Sequence, residues 1–117
     1  MTIERIGLAA RYCDAAIFNG IIFLAGHVAE KTEGASLTEQ TEEVLALLED
    51  TLAQAGSSKE RILSVQIFLT DIAKIGEMNA VWDEWVAKGH APARATVEAK
   101  LASPGYAIEI TATAAKG

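Results

Sequence analysis

Two stretches of the chain carry apolar residues at the spacing of one helical face, and the apolar run Ile62 to Leu69 separates them. A run of that length between two helices reads as a strand covered on both faces, so the pattern predicts helices packed on a sheet. In the first stretch Thr41, Val44, Leu45, Leu48, Leu52 and Ala55 form the stripe, with Glu39, Glu42, Glu43, Glu49 and Asp50 elsewhere. Ser36 and Glu39 have capping-box spacing, and Gly56-Ser57-Ser58 supplies a stop. In the second, Ile72, Ile75, Met78, Val81, Trp82, Trp85 and Val86 line up; Asp71 opens the segment and Gly89 closes it, with Pro92 beyond. Acidic residues away from the stripes read as solvated faces, and Trp82 and Trp85 as core or interface residues.

The rest reads as strands. Asn19-Gly20 between Ala15-Ala16-Ile17-Phe18 and Ile21-Ile22-Phe23-Leu24-Ala25 is a hairpin signal. Ala95, Val97 and Ala99 alternate with Arg94, Thr96 and Glu98; after Ser103-Pro104-Gly105, Ile108 and Ile110 alternate with Glu109 and Thr111. The expected order is two or three strands, helix, strand, helix, two strands. That is an α+β layer with helices on one face of a mixed sheet, in a single domain over residues 1–117. No repeat, linker or low-complexity stretch interrupts it.

Half of the 117 residues are apolar, a high load for a chain of this size, so self-association is expected to cover part of it. Ten Lys and Arg against sixteen Asp and Glu leave a net charge of −6, and no basic cluster occurs. That disfavours nucleic acid and anionic membrane surfaces as partners. No run reaches the roughly 20 apolar residues of a transmembrane helix. Residues Met1 to Arg5 lack the basic-then-apolar layout of a signal peptide, and the lone Cys13 suits a reducing compartment; a cytoplasmic location is expected.

Few residues suggest chemistry. His27 and His90 are the only histidines, without a Cys partner at ligand spacing, so no metal site is expected. Cys13 reads as a small buried hydrophobe, and no nucleophile elbow, P-loop or dinucleotide fingerprint is present. Arg94 opens a strand just after a Pro-containing turn and has the planar fork that grips a carboxylate. Glu109 interrupts an apolar strand and points to its other face, where a carboxylate can shuttle protons. On the residues alone, the structural readings come first: Arg94 paired with Glu98, and Glu109 solvated on an exposed face.

Ala91-Pro92-Ala93-Arg94-Ala95-Thr96-Val97-Glu98, followed by Tyr106-Ala107-Ile108-Glu109-Ile110-Thr111-Ala112, resembles the C-terminal signature of the reactive intermediate deaminase family, the RidA/YjgF-like proteins. Gly20 to His27, Gln40 to Ser58, Phe68 to Asp71 and Met78-Asn79 extend the likeness over the whole chain. The resemblance implies a chorismate-mutase-like α+β fold, a six-stranded mixed sheet with two helices on one face, and a homotrimer whose sheets form an internal barrel. Ligands then occupy clefts between subunits. It implies hydrolysis of a small-molecule 2-imino acid, or its enamine tautomer, to a 2-keto acid and ammonia, without a cofactor because an imine is already activated towards water.

Residue by residue, the family's carboxylate-binding Arg falls on Arg94 and its water-positioning carboxylate on Glu109. Tyr12, Gly26 and Asn79 match other cleft positions, and Thr96 stands where the archetype has Cys. Gly26 would allow the backbone, with its N–H donors, to approach the ligand. The chain departs from the archetype at Arg11-Tyr12-Cys13-Asp14, where Gly-Pro precedes the Tyr, and at Ala25-Gly26-His27, in place of Ser-Gly-Gln. The loop before Pro92 is shorter, and Thr111 replaces a second Glu. These mark a divergent branch, in which Arg11 and His27 are read as structural or solvated. A non-catalytic module binding a carboxylic metabolite in the same cleft is the alternative. The ribonuclease or translation-inhibitor role attached to relatives is disfavoured by the acidic charge.

Overall fold

Ser36 and Asn19-Gly20 do at the backbone what their types suggest. The computed structural model describes residues 2–117. Asn19 and Gly20 both take positive φ, 54° and 78°, which closes a tight hairpin between β2 (Ala15–Phe18) and β3 (Ile21–His27). A short β1 (Glu4–Ile6) pairs antiparallel with β2. The Ser36 hydroxyl accepts from Glu39 N–H at 3.2 Å and opens α1 (Leu37–Gln54). Gly56 at φ +79° then ends it: its N–H reaches Ala53 O and that of Ser57 reaches Leu52 O, the paired bonds of a Schellman cap.

The second helix is shorter than its stripe. Asp71 caps only a single tight turn, Ile72–Lys74, by accepting from Ala73 N–H; α2 itself runs Ile75–Trp85. It stops four residues before Gly89 because Lys59 Nζ donates to the Trp85 carbonyl at 2.7 Å, and Val86 turns to extended backbone. Gly89 sits in a separate turn, closed by His90 N–H to Ala87 O.

β4 (Ile62–Leu69), β5 (Ala93–Glu98) and β6 (Ile108–Ala115) complete a six-stranded sheet in the order β1-β2-β3-β6-β4-β5. Only β4 and β5 are parallel, joined by the crossover through α2. The core lies between helices and sheet. Val44, Leu45, Leu48 and Leu52 of α1 meet Ile22, Leu24, Ile67, Ile108 and Ile110, all at most 5% exposed. Shortening one such leucine to Ala costs about 2–5 kcal/mol.

The other sheet face has no cover in the chain. β4 was expected to be buried on both sides; instead Val65, Ile67 and Leu69 are buried under the helices while Leu63 and Ser64 are exposed. Both helices occupy one face, so an apolar run need not mean two covered faces. In β5 the polar row is the inward one: Arg94 and Thr96 lie beside Val65 and Ile67, and Val97 faces out at 44% exposure. No helix of the described residues is long and apolar enough to cross a membrane.

Candidate functional site

β5 aims Arg94 at α2, where Asn79 and Trp82 stand one turn apart and so share a face. Arg94 Nη1 donates to Asn79 Oδ1 at 2.9 Å, and the guanidinium carbon lies 5.3 Å from the Trp82 ring centroid. Arg94 does not pair with Glu98, whose carboxylate accepts instead from Ile72 N–H at 3.1 Å. The single ion pair of the described residues is Lys116 with Glu4, at 3.6 Å. A guanidinium has five N–H donors, and the described residues accept at only one nitrogen of this one. Thr96 follows two residues on, on the same side; its hydroxyl oxygen is buried with no hydrogen-bond partner among the described residues.

Glu109 is built differently. β3 pairs with β6 as Leu24 with Ala112 and His27 with Ile110, so β3 spends one more residue than β6 over this step. The extra residue is a β-bulge at Ala25-Gly26. It brings Gly26 so close to Glu109 that a Cβ there would lie 2.8 Å from Glu109 Cδ. Glycine was expected here so that backbone could meet a ligand; what it admits is the Glu109 carboxylate. That carboxylate accepts no hydrogen bond from any described residue, which leaves both oxygens available to a water. Tyr12, 63% exposed, joins Asp14, Gly26, His27, Tyr106 and Glu109 around an open cleft of about 670 Å³.

His27 lines that cleft but is held elsewhere. Nδ1 lies 2.7 Å from Ala25 O and Nε2 2.9 Å from Thr51 Oγ1 on α1. A carbonyl only accepts, so Nδ1 carries the hydrogen and the ring staples the bulge to α1. This agrees with the structural reading, and Arg11 is exposed. The loop after β3, which carries cleft residue Glu30, is pinned by Glu43 of α1. Glu43 accepts from the N–H groups of Glu30, Lys31 and Thr32 at 2.9–3.1 Å and from the Thr32 hydroxyl at 2.7 Å. The Thr32 hydroxyl first, then those backbone groups, hold its carboxyl down at about 2 against the upward push of burial.

The expected site residues thus fall into two groups. Tyr12, Gly26 and Glu109 share the cleft; Arg94, Asn79 and Thr96 form the other group, and none of these three lines it. They are on opposite faces. Arg94 shares a row with Val65 and Ala112, under the helices, whereas Glu109 shares one with Phe68 and Val97 on the open face. Asn79, expected to touch substrate, touches Arg94. Trp82, Asp14 and Tyr106 escaped the sequence reading as site residues, although Trp82 at helical spacing from Asn79 was a usable signal. No group of three or more His, Cys, Asp or Glu side chains able to hold a metal ion occurs among the described residues.

Residues 2–116 match the protein family described as Endoribonuclease L-PSP. A RutC family protein of Haemophilus influenzae is 47% identical over 94% of the chain and 95% of its own length. RutC family protein YoaB of Escherichia coli is 44% identical over 98% of the chain and 99% of its own. The crystal structure of NMB1025 from Neisseria meningitidis, a member of the YjgF protein family, superposes with a TM-score of 0.96. It is 47% identical, with 100% of this chain and 97% of that one covered.

Proposed function

The chain belongs to the RidA/YjgF-like family, matched as Endoribonuclease L-PSP over residues 2–116, and from that premise we propose that it hydrolyses 2-imino acids to 2-keto acids and ammonia. The observation that carries the proposal is the braced guanidinium of Arg94, fixed on one side by Asn79 and Trp82 with its remaining donors unspent. Such a fork takes a carboxylate through two hydrogen bonds.

The carboxylate of a 2-imino acid is bonded directly to the carbon that water must attack. Arg94 and the water-activating group must therefore approach within a few ångströms of each other. Within one chain they cannot, because the sheet lies between them. The proposed site is accordingly shared, with Arg94 from one copy and Glu109 with Tyr12 and Gly26 from a neighbour, as the family's homotrimer would provide.

There, Glu109 accepts a proton as a water oxygen bonds to the imine carbon and the C=N π pair moves to nitrogen. The protonated Glu109 then returns that proton to nitrogen. With the imine entering protonated on nitrogen, the nitrogen now carries three hydrogens; Glu109 takes the hydroxyl proton as the C–N bond breaks, leaving the keto group and free ammonia. Holding substrate and water in register supplies much of the acceleration. The RNA cleavage that the family description names finds no basic surface here, at a net charge of −6.

The test is an amino-acid oxidase coupled assay, with semicarbazide trapping the imine over a panel of amino acids. The wild type is expected to suppress trapping. Glu109→Gln should lower kcat by roughly a hundredfold or more, the usual weight of a general base. Arg94→Ala should raise KM by one to two orders of magnitude, on the order of a lost charged hydrogen-bond pair. Trapping unchanged by the wild type over the whole panel overturns the activity. Keto-acid binding without turnover would establish the carboxylate-binding module instead.

A further inference from the structure

Trp82 is 6% exposed and, from its place in the helical stripe, reads as a core or interface residue. Its surroundings go further. One face of the indole carries the Arg94 guanidinium, 5.3 Å from the ring centroid. Trp85, one turn on, packs against it at 5.4 Å between centroids and 47° between planes. Trp85 is itself tied down at three points. Its Nε1–H donates to Glu49 of α1 at 2.7 Å, its carbonyl accepts from Lys59 Nζ at 2.7 Å, and the same ammonium lies 5.3 Å from its ring centroid. The pair of indoles is thus a shelf braced from α1 and from the turn before β4, with a cation at each end.

We propose that Trp82 is a positioning residue for the carboxylate grip of Arg94. The indole face at 5.3 Å limits where the guanidinium can sit, and the bond from Nη1 to Asn79 Oδ1 limits how it can turn. Together they set the direction in which the unspent donors point. An exposed arginine otherwise samples many rotamers and must be ordered when ligand arrives, so the shelf acts by preorganisation. An aliphatic side chain of similar bulk would fill the core but give the guanidinium no π face to lie on. The inference rests on the reading of Arg94 as the carboxylate grip.

Two measurements test it, with pyruvate as the probe. The first is calorimetric titration of the full-length protein with pyruvate. Trp82→Leu should weaken binding roughly three- to fivefold, the weight of one exposed cation–π contact, and Trp82→Phe should stay within about twofold of wild type. A Trp82→Leu protein that melts earlier yet binds pyruvate as the wild type does overturns the proposal, since that is what a purely structural tryptophan predicts. The second does not need ligand or a tolerated change at Trp82. In a Trp85→Phe background Trp82 is the sole tryptophan, and its emission should shift when Arg94→Ala removes the overlying cation. Emission identical with and without Arg94 overturns the shelf. A wild type that binds no pyruvate while the emission does shift would overturn the carboxylate grip and leave the stack standing.

Discussion

Gly26 and Glu109 compete for one volume, and that competition makes the glycine a test of the carboxylate. Gly26 does not take positive φ, so an alanine there meets no backbone penalty. Its Cβ would meet only the end of the Glu109 side chain, which can swing away. Gly26→Ala should therefore leave the thermal midpoint within a few degrees of wild type while moving the carboxylate out of place. The expected result is a fall in kcat of at least tenfold with KM little changed, read in the imine-trapping assay beside a thermal melt. Gly7 makes the contrast. It has φ +65°, and a Cβ there would strike the Asp14 carboxylate, so Gly7→Ala would strain the backbone as well. Arg94 and Glu109 drew attention because a cation and an anion each broke an apolar strand, but only the family resemblance, and not that break, singled them out as site candidates. Asn79 as the partner of Arg94 was not legible, because that bond depends on how β5 is turned, and alternation alone does not say which row faces the helices.

At the scale of elements, the two caps of α1 and the β2–β3 turn were legible, since Ser36, Gly56 and Asn19-Gly20 act locally on the backbone. The end of α2 was not: a lysine side chain from another segment, Lys59, stops it. Glu43 is a similar case. It read as one of several solvated acids on α1, yet its carboxylate collects N–H groups from the β3–α1 loop, eleven to thirteen residues back. Glu43→Gln should destabilise the chain by about 1.5–3 kcal/mol at neutral pH, the range for hydrogen bonds to a charged acceptor. The sign with pH follows from the lowered value. Its ordinary value is 4.5 and the folded value about 2, so the carboxylate favours folding fully above 4.5 and loses that contribution as pH falls towards about 2. Denaturant melts of wild type and variant should differ at pH 7 and converge between pH 4.5 and 2. A difference that stays constant across that window would show that the loop is held by shape and not by charge.

The whole molecule places all three of its phenylalanines, Phe18, Phe23 and Phe68, on the sheet face that its own helices do not cover. Phe18 is 43% exposed and Phe23 55%, and Val97 adds a further 44% exposed apolar side chain. The face that bears Glu109 is this uncovered one, and the shared site proposed above is what would cover it. The high apolar content of the sequence pointed to such a face without locating it. Assembly and chemistry then make one prediction. If a site takes Arg94 from one copy and Glu109 from the next, Arg94→Ala and Glu109→Gln proteins, each strongly impaired alone at substrate concentrations below the raised KM, should regain activity when unfolded together and refolded as a mixture. Random assortment at equal concentrations gives one intact pairing in four, so about a quarter of wild-type turnover is expected, and none from proteins refolded separately and then combined if subunits do not exchange. Sites contained within one chain would return no activity in either case, since every chain carries a lesion, and that outcome would require both groups to reach the substrate through the sheet that separates them.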